Sequence, residues 1–368
     1  MNVQAPATTP RPAAGSRPAM ADGDIHPCLA QASDILPYLP TRWQRHMQSF
    51  GILPRHGYQS GPAYPKGQPD AARRDAWPPG GRPGSDLGFM QRQHLDPNNV
   101  ALGVLNVIAP AAGAAQNLDF SAALARALNE WQVAEWTSKD SRLKGSVVVP
   151  YEDAQAAAAE IRHWAGHKDF VQVLLLSRTA EPLGQRRYWP IYEAAQEAGL
   201  PVGVHAFGYG GYPVTGGGWP SFYIEEMVGH AQACQAQLTS LVIEGVFERF
   251  PRLRLVLIEA GFAWLPAHAW RLDKVWSRLR EETPHLRRKP SAYIRDHVWL
   301  TTQPMEEPER KRHLNDVIEW IGADRLVFAT DYPHWDYDDP AWSLPVPLEG
   351  AARQGFFLDN ARALYGLA

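Results

Sequence analysis

The chain has 368 residues, 45% of them apolar and 20% charged, with a formal net charge of −3. That balance excludes a nucleic-acid-binding polycation, and no run approaches the roughly 20 apolar residues of a membrane span, so neither nucleic acid nor a membrane is expected as a partner. The length exceeds an ordinary domain but suits one α/β barrel of about 250 residues with insertions.

Residues 1–20, "MNVQAPATTPRPAAGSRPAM", are rich in Pro, Ala and Thr and lack the apolar centre of a signal peptide, so they read as a disordered leader. The first strand is predicted at Ala21–Pro27, "ADGDIHP". About seventy residues rich in Gly, Pro, Arg and Trp then precede the second strand, too many for a plain connection, and a lid or insertion is expected over about 42–98. Further strands are predicted at Val100–Ile108, Leu143–Pro150, Phe170–Ser177, Leu200–Phe207, Leu253–Gly261, His297–Pro304 and Arg325–Pro333. Several are apolar along their whole length, as parallel strands covered on both faces are. Helical periodicity fills 120–138, 152–166, 189–199, 263–282 and 306–322, with Gly199 and Gly322 as natural stops. A Gly-rich loop, "FGYGGYPVTGGGWP", follows the fifth strand. Eight strand–helix repeats predict the α/β class and a single (β/α)8 barrel over residues 21–368. Cys28 and Cys234 form no CxxC motif or disulfide framework, which fits a cytoplasmic protein.

In such a barrel the chemistry sits at the C-terminal ends of the strands. The first strand ends in Asp24-Ile25-His26, and alternation turns Asp24 and His26 to the same side. His205 ends the fifth strand, Glu259 the sixth and Asp331 the eighth, with His334 just beyond. A single polar residue at a strand end is more often a turn former or a satisfied core group. Their conjunction at one mouth suits a divalent ion such as Zn or Mn, which accepts imidazole and carboxylate ligands together.

These residues, with "GVFERFPRLRLVLIEAGFAWLPAHAWRLD" (Gly245–Asp273) and "ATDYPHWD" (Ala329–Asp336), resemble the amidohydrolase superfamily. More narrowly, the chain is similar to the branch of aminocarboxymuconate-semialdehyde decarboxylase and the γ-resorcylate-type decarboxylases. The resemblance covers nearly everything from Ala21 onward except the insertion around 54–90. It implies one divalent metal held by Asp24, His26, His205 and Asp331, with no organic cofactor, and often a homodimer. The Trp-rich segment "AHAWRLDKVWSRLR" is compatible with such an assembly. Two departures stand out. The first-strand motif begins with Asp24 rather than His or Glu, and Glu259 stands where many relatives carry a catalytic His. The proton-transfer group is therefore Glu259, His230 or His334, unless Glu259 is paired structurally with Arg254 or Arg271 and His230 is merely packed at the rim. His334 has a further role open to it, orienting Asp331.

The metal and its ligands can serve two reactions. One is non-oxidative decarboxylation of an aromatic or unsaturated acid, the expected function; the other is hydrolysis of a C–C, ester, lactone or amide bond by metal-activated water. A third reading makes the chain an inactive binding or interface protein on the same fold. The aromatic residues of the lid and loops favour a planar, carboxylate-bearing small molecule, with Arg55, Trp219 and Tyr223 as candidate substrate contacts. Asp336, Asp338 and Asp339 read as the solvated start of the next helix.

Overall fold

The computed structural model describes residues 17–51, 71–115, 117–208 and 213–367. Eight parallel strands follow one another in chain order around one sheet. They are β1 (Met20–Ile25), β2 (Val100–Leu105), β3 (Leu143–Val148), β4 (Phe170–Arg178), β5 (Val202–Gly208), β6 (Leu255–Ile258), β7 (Val298–Thr301) and β8 (Leu326–Val327). The chain beyond β8 returns to β1 and closes the ring. There Gly23 N–H donates to the Phe328 carbonyl at 2.8 Å, His26 N–H to that of Tyr332 at 2.8 Å, and Asp331 N–H to that of Asp24 at 3.1 Å. The fold is the expected (β/α)8 barrel.

Alternation divides each strand between two cores. Ile25, Leu105, Val173, Leu175, Val204 and Leu257 pack outward against Leu128, Ile161, Ile191 and Leu238 of the surrounding helices. Burying each such side chain stabilises the fold by about 1.5–3 kcal/mol. A second cluster joins Ala21, Leu102, Val104, Val256 and Val327 to Leu358, Leu364 and Tyr365 near the C-terminus. That segment stoppers the N-terminal end of the barrel, where Arg254, just ahead of β6, donates to the Leu364 carbonyl. Above this apolar floor runs a polar layer: Asn106 Oδ1 accepts from Ser146 Oγ at 2.7 Å and from Gln172 Nε2 at 3.0 Å.

The predicted helices form at 118–132, 154–164, 189–198, 265–279 and 311–321. Gly199 ends the third of these with φ 70°, a left-handed stop that suits glycine. The helix Tyr223–Ile243 follows β5. Among the described residues no helix is long and apolar enough to cross a membrane.

Ordered structure begins ahead of residue 21. Met20 already belongs to β1, and Arg17 donates to Asn98 Oδ1 at 2.6 Å, while residues 1–16 lie outside the described residues. Of the expected insertion at 42–98, residues 52–70, including Arg55, also lie outside them. Its returning arm is fastened at the mouth: Ala72 bridges His334 antiparallel, Arg73 N–H donates to the Pro333 carbonyl, and Trp335 N–H donates to the Ala71 carbonyl.

Candidate metal centre

Four strands deliver the polar residues of the mouth. On β1, Ile25 points into the outer core while Asp24 and His26, on either side of it, face the barrel axis. His205 lies within β5, and Glu259 and Asp331 follow β6 and β8. Glu259 has φ 53° and Asp331 φ 62°, in the left-handed region that side-chain-bearing residues seldom occupy. Neither position reads as an ordinary strand continuation.

The side chains converge. His26 Nε2 lies 2.9 Å from Asp331 Oδ1 and 3.1 Å from Asp24 Oδ1. His205 Nε2 lies 3.3 Å from Asp24 Oδ2 and 3.4 Å from Glu259 Oε2. Ligand atoms of Asp24, His26, His205 and Glu259 all fall within 4.8 Å of one another; so do those of His26, Asp331 and His334, and of Glu259, Asp331 and Asp336.

The chemistry of these atoms shows what the cluster lacks. His26 Nδ1 lies 2.9 Å from the Asn106 carbonyl and His205 Nδ1 lies 2.7 Å from that of Ala206. A carbonyl only accepts, so each Nδ1 carries the proton, and in the neutral ring each Nε2 presents a bare lone pair. Both lone pairs face carboxylate oxygens, which are acceptors as well. Asp24 Oδ2, His26 Nε2, His205 Nε2 and Glu259 Oε2 are buried without a hydrogen-bond partner among the described residues. Four converging acceptors repel one another unless positive charge stands between them. A divalent ion bound through Nε2 of each ring and the carboxylate oxygens satisfies all four, and the Nδ1–carbonyl bonds fix the tautomer that such binding needs.

Electrostatics points the same way. Burial, then the Asp331, Asp336 and Asp24 carboxylates, push the Glu259 carboxyl well above its ordinary range. For Asp24 burial also works upward, but His26 and His205 outweigh it and hold the carboxyl well below the usual value. Asp331 is likewise held low, burial being overcome by His334 and His26. His26 is pushed well above an ordinary histidine: burial opposes the charge, yet Asp24 and Asp331 demand it. The pocket thus calls for a cation at Nε2, which a proton or a metal ion can supply, and metal binding displaces the proton.

Of the expected metal set, Asp24, His26 and His205 meet around one point together with Glu259. Asp331 stands at the edge through His26 and carries His334, whose Nδ1 lies 2.6 Å from Asp331 Oδ1. His334 also stacks on His26, with ring centroids 4.5 Å apart. The alternative pairing of Glu259 with Arg254 or Arg271 does not form, since Arg254 is spent on the Gly199 and Leu364 carbonyls at the other end of the barrel. His230 is buried on the helix Tyr223–Ile243 outside these groups. The Phe207 ring packs against it at 4.5 Å and against His205 at 6.0 Å. Tyr223 stands at the mouth, its hydroxyl accepting from Trp335 Nε1 at 3.3 Å, while Trp219 is exposed on the loop after β5.

The acidic run beyond Asp331 corrects an expectation. No helix begins there; the chain folds back across the mouth and half-buries both Asp336 and Asp338. Gln303, following β7, donates through Nε2 to Asp336 Oδ2 at 3.1 Å and to Asp331 Oδ2 at 3.4 Å, and Asp338 Oδ2 accepts from Met305 N–H at 3.0 Å. Burial and Asp331 push the Asp336 carboxyl to about 7. Sequence reasoning also passed over Asn106, whose Nδ2 donates to Asp24 Oδ1 at 2.8 Å. The available signal was a lone amide ending an apolar run, in "VALGVLN" for Asn106 and "HVWLTTQ" for Gln303.

Comparison with known proteins gives a consistent picture. The family model described as Amidohydrolase matches residues 21–367. The γ-resorcylate decarboxylase of Polaromonas sp. strain JS666 is 27% identical over 292 residues, covering 74% of this chain and 85% of the relative. The crystal structure of 2,6-dihydroxybenzoate decarboxylase from Rhizobium superposes with a TM-score of 0.67 at 19% identity, over 95% of this chain and 98% of the other. That of 5-carboxyvanillate decarboxylase from Novosphingobium aromaticivorans, complexed with manganese and 4-hydroxy-3-methoxy-5-nitrobenzoic acid, gives a TM-score of 0.69 at 18% identity, over 95% and 96%. At these identities the solved structures speak to the fold.

Proposed function

The chain belongs to the amidohydrolase family, and from that premise we propose that it is a metal-dependent carboxy-lyase that removes CO2 non-oxidatively from an aromatic or unsaturated carboxylic acid. The observation that carries this reading is the set of four buried acceptors, on Asp24, His26, His205 and Glu259, converging without a donor. Retention of that set argues against an inactive binding protein. Likeness to relatives named for decarboxylating dihydroxybenzoates supports carbon dioxide release over hydrolysis.

Asp24, His26 and His205 would hold the ion, with Asp331 at its edge. Bound there, a divalent cation would hold the carboxylate and a neighbouring phenolate oxygen of the substrate and draw electron density from the ring. Manganese is favoured over zinc, because a solved 5-carboxyvanillate decarboxylase of the same fold is complexed with manganese, an ion that carboxylate ligands suit. His334 orients Asp331 through Nδ1. Glu259, beside His205 and with its carboxyl pushed well above the ordinary range, would deliver a proton to the ring carbon that bears the carboxylate. The bond from that carbon to the carboxyl carbon then breaks, its electrons return to the ring, and CO2 departs.

Neither Cys28 nor Cys234 is joined in a disulfide, which supports a cytoplasmic setting. Trp270, Val275 and Leu279 are exposed on the helix Leu265–Leu279, which supports association into a homodimer through that face.

Manganese-loaded protein should release CO2 from one or more members of a hydroxybenzoate panel. Glu259→Gln should keep its metal and lose turnover by about 10²–10⁴-fold. Incorporation of solvent oxygen into product without CO2 would overturn the decarboxylase reading, and an unchanged rate in Glu259→Gln would remove Glu259 from proton transfer.

A further inference from the structure

Behind the metal centre lies a second buried pair of carboxyl and imidazole, Asp22 and His94, which the proposed chemistry leaves unused. Ala21 packs in the inner cluster with Leu102, Val104 and Val327, so Asp22, the next residue of β1, faces away from the barrel axis. Simple alternation would then turn Asp24 outward as well. A bulge prevents this: Asp22 is level with Gly103 of β2 and Ile25 with Leu105, three steps along β1 against two along β2. The extra residue re-aims the strand, a common device beside active sites. Asp24 therefore faces inward among the metal ligands, while Asp22 stays outside, against His94 of the returning arm.

Four donors converge on the Asp22 carboxyl. Thr330 N–H and Asp24 N–H reach Oδ1 at 2.9 Å and 3.2 Å. Thr330 Oγ1 and His94 Nε2 reach Oδ2 at 2.5 Å and 2.8 Å. That His94 donates follows from its other side. Arginine only donates, and Arg17 Nη1 lies 2.6 Å from Asn98 Oδ1, so Asn98 turns its amide NH2 on His94 Nδ1 at 3.2 Å. Nδ1 then accepts, which leaves the ring proton on Nε2, toward Asp22. The His94 ring also stacks on Tyr332, with centroids 4.7 Å apart.

The grip falls on both sides of Asp331. Thr330, held by Asp22 at its N–H and its hydroxyl, precedes it; Tyr332, which follows, donates its N–H to Thr330 Oγ1 at 3.2 Å. Asp331 itself has φ 62°, a conformation that persists only where neighbours impose it. We propose that Asp22 and His94 are positioning residues, which hold the backbone of residues 330–332 from outside the barrel so that Asp331 keeps its carboxylate at the metal centre. His94 lies near the end of the insertion, so the arm that is fastened at the mouth also braces it from behind. The inference rests on the reading of the metal centre given above.

The test measures manganese affinity by chelator competition, on protein whose fold is checked by circular dichroism, beside the unfolding stability of the metal-free protein. A residue that only stabilises the fold lowers the stability and leaves the affinity unmoved. Asp22→Ala should weaken manganese binding about 10- to 100-fold, as loss of an outer partner does. If Asp22→Ala does not fold, Asp22→Asn takes its place; it keeps an acceptor for Thr330 N–H but turns a donor on His94, and about a 3- to 10-fold loss is expected. His94→Phe keeps a stacked ring without the donor and should also weaken binding about 3- to 10-fold. His94→Gln, which can bring an amide N–H to the same place, should restore most of that loss. Folded Asp22 and His94 variants that bind manganese like the natural chain overturn the brace, and equal losses in His94→Phe and His94→Gln overturn the part played by the His94 donor. Natural protein that takes up no manganese refutes the metal centre instead.

Discussion

Asn106→Ala tests whether the first-strand ligands are held in place from beneath. Asn106 Nδ2 donates to Asp24 Oδ1 at 2.8 Å, and its Oδ1 accepts from Ser146 Oγ and Gln172 Nε2. Removing the side chain deletes one hydrogen bond to a buried carboxylate, about 1.5–3 kcal/mol, and two neutral ones of about 1 kcal/mol each, while a longer one from Nδ2 to the Gly23 carbonyl at 3.3 Å adds little. The expected destabilisation is about 3–5 kcal/mol, read by denaturant unfolding of the metal-free protein. The main-chain carbonyl that takes His26 Nδ1 stays in place, so the histidine keeps its tautomer while Asp24 is freed. Manganese affinity, measured by chelator competition, should fall about 10- to 100-fold, as when the outer partner of a ligand is lost. Ser146→Ala is the control. It removes two neutral bonds, to Asn106 Oδ1 and from Gln172 Nε2, and should cost about 2 kcal/mol with manganese affinity unmoved. An Asn106→Ala protein that binds manganese like the natural chain would refute the claim that this layer orients Asp24, and so would a Ser146→Ala protein that matches it.

His205→Ala should purify with far less than stoichiometric manganese by elemental analysis; equal content in the variant and the natural chain would remove His205 from the ligand set. His297 offers a test away from the site. It is buried with Nδ1 against the Leu253 carbonyl, its ring stacked on Phe247, and burial lowers its pKa. The unfolded chain then takes a proton near pH 6.5 while the folded one refuses it, so stability should fall as pH drops below about 6.5. His297→Asn, which can keep the donor to Leu253, should flatten that dependence in unfolding titrations between pH 7 and 5, and an unchanged slope would show that His297 does not contribute.

The barrel was legible because parallel strands buried on both faces are written as apolar runs, and all eight occur in order. Asp24 and His26 were legible for a related reason, since alternation about a buried Ile25 leaves two polar residues on one face. Local pattern placed Glu259 at the end of the sixth strand but carried no information about its partner. Its pairing with His205 rather than Arg254 depends on which end of the barrel each residue occupies, and Arg254 precedes β6 while Glu259 follows it. Asp336 and Asp338 were misread because an acidic run looks like a solvated helix start. What buries them is the return of the chain across the mouth onto Gln303 and Met305, a tertiary event with no periodic signature.

Backbone conformation ties the site together in a way composition cannot. Among the described residues, five non-glycine positions have positive φ, and Phe207, Glu259 and Asp331 are three of them. Phe207 lies at the C-terminal end of β5, and Glu259 and Asp331 follow β6 and β8. Each such conformation costs of order 1–3 kcal/mol and persists only where neighbours impose it. The neighbours are present. Glu259 N–H donates to Thr301 Oγ1 at 3.1 Å, Asp331 N–H to the Asp24 carbonyl at 3.1 Å, and Ser177 Oγ to the Phe207 carbonyl at 3.2 Å. A fold under selection for stability alone would place glycine at such turns, as it does at Gly199 and Gly322 where helices end. Here carboxylates occupy two of the three positions and turn inward on His26 and His205, at a cost in both backbone strain and charge repulsion. That double cost, accepted at the points where the strands open, is the physical mark of a site built to hold a cation.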